Sequence, residues 1–150
     1  MEAKAGISEI INKYRNDVEA LVKYLPWLER SSGQKMVNNV TPEGGENTMK
    51  VPVYDSTLLS FVKVANKTKF MNRNYMYTYT RNRLRTVDDE LKYISRAQLT
   101  DIQGLGDILS KYVLKGMQRG ILWSEAVKDG VFLSVVSKMK ELIEFWSVPM

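Results

Sequence analysis

The sequence predicts an all-α fold: a single compact helical core domain over residues 51–150, five to seven helices in all, with an N-terminal amphipathic helix (1–30) attached by a flexible loop (31–50). Three observations carry this. Apolar residues recur at spacings of three and four in most long segments, the period of one helix face. One stretch, Tyr75 to Thr80, alternates with period two, and few other segments could supply it with a partner strand. Finally, 150 residues with 44% hydrophobic and 26% charged side chains can bury on the order of 70% of their unfolded surface without disulfide or metal support.

Ile7, Ile10, Ile11, Tyr14, Val18, Leu21, Val22 and Leu25 form the first stripe, with Glu9, Lys13, Asp17 and Lys23 between them. Pro26 should end or kink that helix, because its ring removes an amide donor and disfavours helical geometry at Leu25. Residues 31–50 hold Gly33, Pro42, Gly44 and Gly45 among polar residues without a period, the pattern of a loop. A loop of that length makes the first helix read as an appendage.

Asp55 stands where its carboxylate can accept the first amide hydrogens of a helix over 56–66. For 75–80 helix is favoured over strand, since Met71, Tyr75, Tyr79 and Asn82 also share one helical face. Thr86 followed by Asp89 resembles a capping box, and Thr100 followed by Gln103 repeats the device. The helix that follows carries Ile102, Leu105, Ile108, Leu109, Tyr112 and Val113, with Gly104 and Gly106 permitting close approach of a neighbour. Gly120 is placed to close it in the left-handed conformation. A short helix before Gly130 and a last one with Phe132, Leu133, Val136, Met139, Ile143 and Trp146 on one side complete the chain.

The segments VYDSTLLSFVK, RNYMYTYTRNRLRT, GDILSKYVLKGMQRGILWSEAVKDGVF and MKELIEFW, with the opening helix and YLPWLE, resemble a family of small helical proteins of anaerobic gram-positive bacteria, often carried on mobile elements. No activity is assigned to that family, so the resemblance implies none and transfers no functional residue.

Composition excludes more than it names. There is no cysteine and no histidine, which removes thiolate chemistry, iron–sulfur ligation, the usual zinc sites and the commonest proton-transfer group near neutral pH. A catalytic role is therefore not expected, nor a cofactor. No apolar run approaches the roughly 18 residues of a membrane span, and no secretory signal is visible, so a cytoplasmic location without membrane partners is expected.

The sharpest local signal is KTKFMNRNYMYTYTRNRLRT, residues 67–86. Between Asp55 and Asp88 there is no acid, while seven basic residues fall inside, against 15 basic and 17 acidic residues elsewhere. The whole positive excess lies there, as a phosphate-binding face requires. Lys67, Lys69, Arg73, Arg81, Arg83 and Arg85 are the candidate contacts to nucleic acid or another polyanion. Tyr75, Tyr77 and Tyr79 could stack on unpaired bases, with Tyr75 and Tyr79 placed in the candidate site, and Asn72, Asn74 and Asn82 add donors and acceptors. Against this stands the plainer reading, in which the tyrosines are core residues and the arginines pair with Asp88, Asp89 and Glu90.

A second surface is the stripe Ile10, Tyr14, Val18 and Leu21, which an appended helix would offer to a protein partner or a second copy of the chain, giving a homo-oligomer. Other patterns carry less. WSEAVKDGVFLSVVSKM superficially looks like a helix-turn-helix, but its second helix starts with apolar residues that cannot read base edges. The run Asp88–Asp89–Glu90 suits a helix start better than a magnesium site, and no metal ligand set is expected.

Overall fold

A computed structural model of the chain describes residues 2–33, 37–40 and 51–147. Eight α-helices account for most of them: α1 Glu2–Val22, α2 Leu25–Ser31, α3 Ser56–Asn66, α4 Met76–Asn82, α5 Val87–Arg96, α6 Ile102–Gly116, α7 Ile121–Lys128 and α8 Val131–Ser147. This exceeds the five to seven expected, because Pro26 sits in the first turn of a separate α2; α4 is the helix that was favoured over a strand for 75–80. Two short strands, β1 Val37–Val40 and β2 Val51–Tyr54, also pair antiparallel with Val37 opposite Tyr54.

The N-terminal helix is not an appendage. α1 packs along α8 and α3, and Ile11, Tyr14, Val18 and Leu21 are buried in the same apolar cluster as Phe61, Leu105, Phe132 and Met139. The Tyr14 ring stacks on Phe70 at 4.4 Å between centroids, and its hydroxyl donates to Gln103 Oε1 at 2.5 Å. Within the expected 31–50 loop, Ser31 closes α2 and 37–40 form β1. The expectation of flexibility otherwise falls on 34–36 and 41–50, outside the described residues.

Local chemistry sets the helix starts. Asp55 Oδ1 accepts from the amides of Thr57 and Leu58 at 2.7 and 3.2 Å, and Thr86 with Asp89 forms the full capping box of α5. The cap before α6 lies earlier than Thr100: Gln98 and Asp101 bracket a 3-10 turn, Leu99–Asp101, that leads into the helix. Gly120 is right-handed at φ −55°. Among the described residues, the left-handed ones are Gly33, Gly130 and, unexpectedly for a residue with a Cβ, Arg83 at φ 56°. Gly106 is required by packing, since a Cβ there would lie 2.6 Å from the Phe70 ring. α7 and α8 form a hairpin whose second helix buries Val131, Phe132, Val135 and Val136 from its first turn.

Candidate polyanion-binding surface

Residues 67–86 leave α3, cross the face of α6 as a turn, form α4 and reach the start of α5. α4 buries Thr78 and Tyr79 and exposes Met76, Tyr77, Thr80 and Arg81. The inward stripe is the one that Met71, Tyr75, Tyr79 and Asn82 mark in the sequence. Tyr77 and Arg81 therefore lie together on the outer side, one helical turn apart.

Tyr79, placed in the site by sequence, is not at the surface. It is 4% exposed and its hydroxyl donates to Glu90 Oε2. Tyr112 donates to the other oxygen of Glu90 at 2.5 Å, and Lys111 Nζ stands 3.6 Å from that carboxylate. Glu90 itself is 1% exposed. Burial first, and then the neighbouring Glu90 charge, pushes the Tyr79 phenol far above the usual tyrosine range. Tyr75 is half-buried with its ring edge-on to Tyr79. The residue that sequence reasoning left out of the site is Tyr77, 68% exposed. The signal existed, because a helix that buries 75 and 79 must turn 77 outward.

All six cations, Lys67, Lys69, Arg73, Arg81, Arg83 and Arg85, are exposed. Among the described residues none has a carboxylate within 4.0 Å. The three acids that follow them are committed elsewhere. Asp88 pairs with Lys92 at 3.0 Å. Asp89 accepts the backbone amides of Arg85 and Thr86 at 3.0 and 3.2 Å, and these bonds, the Arg85 amide foremost, hold its carboxyl below the ordinary aspartate range. Glu90 serves the two phenols and Lys111. These acids diverge, so they do not converge on a shared cation either.

The structure does not gather all the cations at one place. Lys69 is drawn to α1, its amine donating to the Lys13 carbonyl at 3.3 Å and its amide to Asp17 at 2.9 Å. Arg73 instead shares an open groove of about 600 Å3 with Asn72, Asn74, Met76, Tyr77 and Asp107. Arg96 on α5, missed because the acidic run separates it from the interval, stands over the Tyr93 ring at 5.8 Å. Burial foremost raises the Tyr93 phenol pKa, the Asp101 and Asp107 charges add to the rise, and the Arg96 and Arg81 charges oppose it.

Asp107 lies at the groove floor, 5% exposed. Its Oδ1 accepts from Asn72 Nδ2 at 3.0 Å and Gln103 Nε2 at 3.1 Å, and its Oδ2 from Thr78 Oγ1 at 2.5 Å. The expected interaction stripe fares differently. Tyr14, Val18 and Leu21 are buried inside the chain and only Ile10 is half-exposed, so that face is covered by α3 and α8 and is not an open docking surface.

Compared with known proteins, the chain matches no family model, no curated protein and no solved structure. Geometry alone bears on what the surface does. No helix among the described residues is long and apolar enough to cross a membrane.

Proposed function

We propose that the chain is a non-catalytic, nucleic-acid-associated accessory protein that binds polyanions through residues 67–86, with Arg73, Arg81, Arg83 and Arg85 as the principal phosphate contacts. The supporting observation, among the described residues, is the engagement of the acids beside this surface with other partners, Asp88 with Lys92, Asp89 with backbone amides, Glu90 with Tyr79, Tyr112 and Lys111, and Asp107 with Asn72, Gln103 and Thr78. Exposed guanidinium groups without carboxylate partners exchange only water and counterions for phosphate, so little is lost on binding.

Titration of a labelled DNA at several salt concentrations tests this. Four phosphate contacts give a slope of log K against log salt of about −3 to −4. Replacing Arg81, Arg83 and Arg85 together by Ala should bring that slope to about −1 and weaken binding across sequences. An unchanged slope in the triple variant excludes this surface.

A further inference from the structure

The groove beside α4 has features that a purely cationic surface does not need. Its lining combines the exposed Tyr77 ring and Met76 with Arg73, and its floor is a carboxylate. A phosphate is unwelcome at that floor, because Asp107 would repel it. Three donors occupy three of the roughly four lone-pair positions a carboxylate presents. Oδ1 takes two of them and Oδ2 takes one, so an acceptor position is left on Oδ2. The groove thus suits a flat group with a polarizable face and a donor edge, while anionic groups belong outside on the arginines. A nucleobase has that shape, and its face and edge are accessible only when it is unpaired.

The geometry points to single-stranded nucleic acid as the ligand, with one unpaired base stacked on Tyr77, its amino N–H donating to Asp107, and the adjoining phosphates on Arg73 and Arg81. The placement follows from the chain: Arg73 shares the groove with Tyr77, and Arg81 follows Tyr77 by one turn on the same side of α4. This inference rests on the polyanion reading above and narrows it to one strand form. The chemistry is common to DNA and RNA.

Fluorescence anisotropy with four labelled probes tests it: a short oligodeoxyadenylate, its ribo counterpart, the same deoxy strand annealed to its complement, and a deoxy strand carrying purine without the amino group in place of adenine. The full chain is compared with Tyr77→Ala, Tyr77→Phe and the Arg81/Arg83/Arg85→Ala variant. Tyr77 is mostly exposed, so its replacement leaves the core untouched. Single strands should bind more tightly than the duplex, and the tighter of the deoxy and ribo forms names the source. Tyr77→Ala should weaken single-strand binding by about 5- to 150-fold, the range for loss of one stacked base, whereas Tyr77→Phe keeps it. Duplex binding should stay within about twofold, and loss of the amino group should weaken binding by about 3- to 10-fold.

Unchanged single-strand affinity in Tyr77→Ala, with weaker binding in the triple variant, overturns the stacked-base inference and leaves the polyanion reading standing. Equal affinity for the amino-free strand overturns the Asp107 contact. Failure of the unaltered chain to bind any probe overturns both readings together.

Discussion

Replacing Glu90 by Ala is the most informative perturbation of the fold beneath this surface. In the native chain that carboxylate accepts from two buried phenols, Tyr79 and Tyr112, with Lys111 at 3.6 Å. Its removal strands two hydroxyl donors, each costing about 1–3 kcal/mol, while Lys111, partly exposed, can turn to water. Release of a buried charge offsets part of this, so a net loss of about 3 kcal/mol is expected. Tyr79→Phe alone removes one charge-assisted bond and should cost about 1.5 kcal/mol. In the Glu90→Ala background the same change removes a stranded donor, so it should cost nothing or restore stability, a coupling of at least about 1 kcal/mol. Urea denaturation monitored by circular dichroism reads this: with a slope near 2 kcal/mol per molar urea, the single Glu90→Ala change lowers the midpoint by about 1.5 M. A midpoint loss below about 0.3 M, or additive effects in the double variant, would refute the reasoning. Tyr79 would then not be held by Glu90.

Two further outcomes follow from the same residues. Burial and Glu90 hold the Tyr79 and Tyr112 phenols neutral well above their ordinary range, so above about pH 10 the unfolded chain releases two protons that the folded chain keeps. Stability is therefore present in full below that pH and falls above it, by up to about 1.4 kcal/mol per pH unit for each phenol; urea midpoints across this range should fall less steeply in Tyr79→Phe/Tyr112→Phe. At Arg83, φ 56° in the C-cap of α4 strains any residue with a Cβ, so Arg83→Gly should raise the thermal midpoint by about 1–3 °C while weakening polyanion binding. A drop in both would mean that the side chain supports the fold.

Helix positions were largely legible because their signals are local. The Asp55 cap, the Thr86–Asp89 capping box and the α3 stripe depend on residues a few positions apart, and each lies where the spacing puts it. The status of α1 was not legible. Its stripe reads the same whether it meets a partner or the same chain, and the choice is made by elements far along the sequence: α8 and α3, with Phe70 and Gln103 meeting Tyr14 from more than fifty residues away. A sparse loop suggested detachment, yet loop length costs little entropy once a face of that size can be buried. The strand pair likewise depends on partners that periodicity does not register.

For the candidate surface, the positive excess is visible in the sequence, but whether it is already neutralised depends on how α5 begins. Successive residues on a helix are rotated by about 100°, so three consecutive acids cannot face one way. Asp88 turns outward to Lys92, Asp89 turns back to the amides before the helix, and Glu90 turns inward to the phenols. The composition that made pairing with Arg81, Arg83 and Arg85 look natural is thus defeated by helix rotation. The same inward turn of Glu90 draws Tyr79 into the core, which leaves Tyr77 as the exposed aromatic of α4. One helix start therefore decides both which cations stay unpaired and which ring stands beside them, and a substitution that shifts the first turn of α5 should disturb the two together.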